Sequence, residues 1–270
     1  MSNLQLRVIS GIVMAAVVLL LAWLGGLPFR ILSAAIAAAV FYEWCAMSRT
    51  STNSAYHALS AILLAAALIA LVAGFPAATV FAVLGCAVVA SALTGLIRGQ
   101  GTWTTAGLAY AGLSGISLAF LRDADRSGLM AILFLFATVW ATDIFAYFVG
   151  RAIGGPKLAP SISPGKTWSG AIGGTVCGMV AGLAVAFLAG GNLLTLIPVV
   201  FLLSVASQIG DLFESWVKRR HGVKDSSNLI PGHGGVMDRV DGLVAAAFAL
   251  YVIGALLGGA DHPASGLFPA

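Results

Sequence analysis

Between residues 211 and 241 stand Asp211, Glu214, Lys218, Arg219, Arg220, Lys224, Asp225, Asp238, Arg239 and Asp241, in a chain of which only 9% is charged. Charge in or beside a membrane span is costly and is usually functional. Its concentration here points to a polar site at a membrane edge. Lys218, Arg219, Lys224 and Arg239 can neutralise phosphate oxygens, the arginines through paired hydrogen bonds. The stretch Gly232-His233-Gly234-Gly235 lets backbone N–H groups approach an anion. Carboxylates at Asp211, Asp238 and Asp241 among so many cations suit a hard metal such as Mg²⁺ shared with substrate phosphates. The basic run alone would read as a cytoplasmic anchor. An anchor does not account for the interleaved carboxylates and glycines.

Upstream of this stretch, Ser204, Ser207, Gln208, Asp211, Ser215 and Lys218 follow steps of three or four and share one helix face. Asp211 must face a cavity or a partner rather than lipid, and so must Asp143, which has Tyr147 one turn later. A structural ion pair is the bland reading of Asp211, and a buried hydrogen-bonded pair that of Asp143. His233 has no other His or Cys nearby to complete a zinc set. Catalytic base and phosphate or structural contact both stand open for it. Gly165-Lys166-Thr167 looks like the end of a P-loop, but Pro160 occupies the required first glycine. What remains is a lysine at the mouth of a helix, with Thr167 and the helix N-terminus as further phosphate donors.

These residues must be positioned by membrane helices. The 270 residues are 60% hydrophobic with mean hydropathy +1.00, more apolar side chain than a soluble fold buries. A helical span takes about 20 apolar residues. That length predicts an all-α, polytopic integral membrane protein of about nine transmembrane helices, at 9–27, 29–47, 57–74, 76–97, 103–121, 128–150, 167–190, 193–217 and 240–260. The expected division is into N-terminal transmembrane helices (1–127) and a C-terminal catalytic region (128–270). With the N-terminus in the cytoplasm, eleven basic residues face inward and three (Arg30, Arg122, Arg126) outward. The positive-inside rule therefore places the loops 151–166 and 218–239, and a polar active-site cavity, on the cytoplasmic side. Gly170, Gly174, Gly178 and Gly182 recur every four residues and predict close packing against a neighbouring helix or a second subunit. Cys45, Cys86 and Cys177 have neither metal-ligand nor disulfide spacing. The basic residues flank spans, which argues for topology and anionic lipid rather than nucleic acid.

Ser215, Lys218-Arg219, Lys224-Asp225, Ser227, Pro231, His233-Gly234-Gly235, Asp238-Arg239 and Asp241 resemble, in order and spacing, the signature of the phosphatidate cytidylyltransferase (CDP-diacylglycerol synthase) family. The resemblance extends over about residues 143–242. The family commonly carries Ser-Pro-Lys-Lys-(Ser/Thr)-x-Glu-Gly before the signature. Here Ser163-Pro164-Gly165-Lys166-Thr167-Trp168-Ser169-Gly170 departs from it at Gly165 and Ser169. The resemblance implies a Mg²⁺-dependent nucleotidyltransferase, with a second cation such as K⁺ allowed. It implies that CTP and phosphatidic acid are converted to CDP-diacylglycerol and pyrophosphate at the cytoplasmic face of the bacterial inner membrane by a homodimer. It implies that Asp211 and Asp238 hold the metal, with Asp241 a further candidate. Asp211, Asp238, Lys224 and Asp143 are then the expected catalytic residues. Ser163, Lys166, Thr167, Ser215, Lys218, Arg219, His233, Gly234, Gly235 and Arg239 are the expected phosphate-binding set. Another metal-dependent lipid transferase, of prenyl or CDP-alcohol type, and an ion-coupled transporter are the rival readings. The first lacks its companion carboxylate clusters, and the second lacks an inverted repeat of broken helices.

Overall fold

The computed structural model describes residues 3–48, 54–230 and 234–268, with side chains from residue 9 onward. Nine α-helices carry these residues: α1 (Asn3–Leu24), α2 (Gly26–Met47), α3 (Ser54–Val72), α4 (Ala77–Ile97), α5 (Trp103–Arg122), α6 (Arg126–Ile153), α7 (Trp168–Leu188), α8 (Leu193–Arg220) and α9 (Met237–Gly258). Eight are long and apolar enough to cross a membrane, and α1 adds a shorter apolar stretch at Ile9–Leu24. The chain is thus a polytopic, all-α integral membrane protein of about nine spans. One expected loop is different: 157–167 forms an antiparallel hairpin, β1 (Lys157–Ala159) with β2 (Ser163–Thr167). Period-based reading misses so short a hairpin because three residues show no alternation.

The chain forms two compact units, residues 1–119 with 225–239, and residues 120–224 with 240–270. The first unit is held by polar contacts that an apolar solvent cannot replace. The Trp44 indole N–H donates to the Trp103 carbonyl at 2.9 Å, and the two indoles stack at 4.7 Å. Buried Tyr56, Ser60, Ser91 and Thr105 form a hydroxyl cluster across α3, α4 and α5, with contacts of 2.9 to 3.0 Å from Tyr56 to Thr105, Ser60 to Ser91 and Ser91 to Thr105. Hydroxyls in a span satisfy one another because lipid offers no donors or acceptors.

In the second unit the predicted glycine strip of α7 packs against α6. A Cβ at Gly170 would stand 2.6 Å from the Ala146 carbonyl oxygen, and one at Gly174 2.6 Å from that of Thr142. The same closeness recurs between α8 and α9, where a Cβ on Gly210 would lie 2.7 Å from the Asp241 carbonyl oxygen. The helix ends are capped as their sequences dictate. Asp125 accepts from the Gly128 N–H at 2.8 Å, and Thr167 from the Gly170 N–H at 3.1 Å, each satisfying a first-turn donor. Gly154 ends α6 at φ 68°, which glycine adopts without a Cβ clash.

Candidate active site

The second unit contains a cavity of about 600 Å³ at the meeting of α6, the hairpin, α7 and α8. Asp143, Tyr147 and Arg151 enter it from α6, Lys157, Ser163, Lys166 and Thr167 from the hairpin, and Gln208 and Asp211 from α8. The hairpin brings Lys166 to α8, where its Nζ forms an ion pair with Asp211 Oδ2. Ser215 lies one turn on and donates to Asp211 Oδ1 at 3.4 Å. Asp143 is within electrostatic reach of Asp211, Asp241 and Lys166. Asp241 lies beside Glu214 and accepts from the Gly242 N–H at 2.7 Å. Glu214 is fully buried and pairs with Lys218 at 3.3 Å. Four carboxylates and two lysines therefore share one polar interior, and all the donor atoms around Asp211 are oxygen or nitrogen.

The sequence assignments divide on this geometry. Asp143, Ser163, Lys166, Thr167 and Asp211 line the cavity together. Lys218, expected on the same helix face as Asp211 and Ser215, and Arg219, expected in the loop 218–239, both stand in the last turn of α8, which continues to Arg220. Cations there meet the negative end of the helix dipole. Arg219 Nε donates to the Ile162 carbonyl at 3.4 Å, which ties α8 to the hairpin turn. Lys224 is exposed in the loop that follows. Neither it nor those two residues line the cavity. The Thr167 hydroxyl also caps α7. Just beyond α8, burial and the neighbouring Arg220 guanidinium hold His221 below the usual histidine range.

The first unit holds the other part of the charged stretch. Asp238 Oδ2 accepts from the Ser226 N–H at 2.9 Å, the Ser226 hydroxyl at 2.9 Å and the Gly235 N–H at 2.8 Å. The Gly235 N–H, expected to face a phosphate, is thus turned to Asp238. Gly234 takes φ 81° and pairs with Ile230, whose N–H donates to it at 2.8 Å. His233 lies outside the described residues. Arg239 is exposed, one position into the first turn of α9 after Asp238.

One residue of this unit escaped the sequence reading. Glu43 of α2 is 0% exposed and has four donor groups within hydrogen-bonding distance, from Ser226, Ser227, Val236 and Met237. The signal was available: Glu43 is the only acidic residue in the first 122, and it stands inside a predicted span.

A cavity that joins lysines, an arginine and carboxylates suits anionic, oxygen-rich substrates. The cytidylyltransferase family profile matches residues 5–257, and the chain belongs to that family. It is 49% identical over 271 residues to the phosphatidate cytidylyltransferase of Brucella suis biovar 1 (strain 1330), covering 99% of both chains. It is 34% identical over 269 residues to that of Bacillus subtilis (strain 168), covering 95% of this chain and 99% of the relative. A shorter match, 47% identical over 144 residues, covers 50% of this chain and 49% of the Haemophilus influenzae phosphatidate cytidylyltransferase. Membership sets aside the prenyl-transferase, CDP-alcohol-transferase and transporter readings.

Proposed function

We infer that this chain transfers a cytidylyl group from CTP to phosphatidic acid, releasing pyrophosphate and leaving CDP-diacylglycerol in the membrane. The observation that carries this reading is the cavity in which Lys166 and Asp211 pair at the mouth of α7, within a chain of the cytidylyltransferase family. In the reaction a phosphate oxygen of phosphatidate attacks the α-phosphorus of CTP. The bond from that phosphorus to the β-phosphate oxygen breaks, and pyrophosphate carries the electron pair away. Little covalent work falls to the protein, so positioning and charge neutralisation supply most of the catalysis. Lys166, Arg151 and Lys157 border the cavity and neutralise phosphate oxygens. An incoming phosphate competes with Asp211 for Lys166. Ser163 and Thr167 orient phosphate oxygens by hydrogen bonding. Lys224, exposed after α8, and Lys218, Arg219 and Arg239 supply attraction for a polyanion at the membrane surface.

The donor set fits Mg²⁺. Asp211 stands near Asp143 and Asp241, and a divalent cation relieves carboxylate repulsion. Among the described residues no three His, Cys, Asp or Glu side chains are close enough to hold a metal alone. Mg²⁺ normally takes only one or two carboxylates and completes its shell with water and substrate phosphates. Asp211, with Asp241 nearby, would hold it in this unit, and a bound Mg²⁺ would neutralise the charge that develops on the leaving pyrophosphate. The metal role of Asp238 is a separate assignment that Asp238→Asn tests. K⁺ as a second cation and a homodimeric state are parts of the same reading. The cytoplasmic orientation rests on the eleven-to-three bias of basic residues.

Purified protein incubated with CTP, phosphatidic acid and Mg²⁺ tests the reaction. Label from [α-³²P]CTP should enter the lipid extract and label from [γ-³²P]CTP should leave as pyrophosphate. Lipid labelling with dioleoylglycerol in place of phosphatidic acid, or γ-label in the lipid, would contradict the assignment.

A further inference from the structure

The Glu43 carboxylate collects both ends of the glycine-rich excursion in the first unit. Its Oε1 accepts from the Ser227 hydroxyl at 2.6 Å and the Val236 N–H at 2.8 Å. Its Oε2 accepts from the Met237 N–H at 2.7 Å and lies 3.1 Å from the Ser226 hydroxyl. Met237 opens α9, so Glu43 also supplies negative charge where the helix N-terminus favours it. A buried carboxylate is tolerated only when paired or hydrogen-bonded, and here four donors meet it. Gly235 lies against the same group: a Cβ there would come within 2.7 Å of the Glu43 carboxyl carbon.

Ser226 links Glu43 to Asp238. Its hydroxyl lies within bonding distance of Glu43 Oε2 and of Asp238 Oδ2, and its N–H also binds Asp238 Oδ2. The hydroxyl has one proton, so it can donate to only one carboxylate at a time. Ser226 and the Gly235–Met237 backbone are thus clamped between two acids, one on α2 and one on α9. We propose that Glu43 is a positioning residue for the cytidylyl transfer: it holds Ser226 and the first turn of α9, and thereby fixes the orientation of the Asp238 carboxylate. The proposal rests on the transferase reading for its kinetic consequence.

Only a carboxylate meets this demand. Each of its oxygens receives one backbone N–H, from Val236 at Oε1 and from Met237 at Oε2. Glutamine has one carbonyl oxygen and one NH₂ group. Whichever way its amide is turned, one of those N–H groups faces another donor and loses its acceptor. Aspartate keeps the charge but is one methylene shorter.

The test compares wild type with Glu43→Gln, Glu43→Asp and Ser226→Ala in the full-length, detergent-solubilised protein, by hydrogen exchange and by steady-state kinetics. Glu43→Gln should raise amide exchange in peptides covering 225–230 and 234–239 while the other spans keep their protection. It should lower kcat by roughly tenfold or more, on folded protein assayed well below its melting temperature. Glu43→Asp should recover part of that loss. In an Asp238→Asn background the further loss from Glu43→Gln should shrink, since the group being positioned is already gone. Unchanged exchange in both peptides would overturn the placement of Glu43, whether or not wild type shows cytidylyl transfer. Raised exchange with wild-type kcat, or equal losses in both backgrounds, would reduce Glu43 to a purely structural role. A wild type with no lipid labelling from CTP would instead count against the transferase reading, while the exchange data still decide whether Glu43 holds the loop.

Discussion

Lys166 and Asp211 show how a single contact can be read in two ways. A salt bridge with both side chains 28% exposed contributes little to stability, so its value lies in what replaces it. Lys166→Met should leave the melting temperature nearly unchanged. It should raise the KM for CTP or lower kcat, by on the order of a hundredfold in kcat/KM if the lysine stabilises the transferring phosphate. Kinetics like wild type would leave the lysine as a topological charge only. At this scale the sequence disclosed Asp143, Lys166 and Asp211 because a carboxylate or lysine amid apolar residues has few structural excuses. It did not disclose the Lys166–Asp211 partnership, which depends on a hairpin too short to leave a periodic trace. Glu43 was legible in principle as the lone acid of the N-terminal spans, but its donors lie more than 180 positions away, and local pattern carries no information on such distant pairs.

Among the elements, the glycine strip of α7 was legible from its four-residue spacing alone. The structure adds the partner, α6, and the reason no larger residue fits. A Cβ at Gly178 would lie 2.9 Å from the Thr138 carbonyl oxygen, so Gly178→Leu should cost about 1–3 kcal/mol through overpacking, seen as a lower melting temperature in detergent. An unchanged melting temperature would mean that the α6–α7 interface opens without penalty. The spans themselves were read within a few residues, because hydropathy and length are local quantities. The basic end of α8 was read only in part: Lys218 fitted the face of Asp211 and Ser215, but the span was ended at 217 and Arg219 and Arg220 looked like loop. Arginine and lysine nonetheless continue a helix readily and suit its C-terminus.

For the whole molecule, the bias of basic residues, read with nine alternating spans, proposes a cytoplasmic 218–239 stretch. Ser226 is buried against Glu43, so exposed Asn228 is the better reporter. Asn228→Cys in a cysteine-free background should resist an impermeant thiol reagent in intact cells and react in inverted vesicles. Labelling in intact cells would reverse the orientation. The His262–Asp123 pair, at 2.6 Å and outside the spans, gives a pH signature. Its hydrogen bond to Asp123 raises the His262 pKa above the usual 6.5. The contribution of the pair to stability is therefore complete below about pH 6.5 and is lost as pH rises through the raised value. His262→Gln should remove that part of the pH dependence of the melting temperature, and an unchanged profile would dismiss the pair as a stabilising contact. The central claim is that the polar interior around Asp211 performs the transfer rather than bracing the helices. Asp211→Asn decides it most directly when melting temperature and Mg²⁺-titrated activity are measured on the same preparation. The account predicts a melting temperature close to wild type with activity down by roughly a hundredfold or more. Near-normal kcat and Mg²⁺ dependence, with the loss appearing in stability instead, would contradict it.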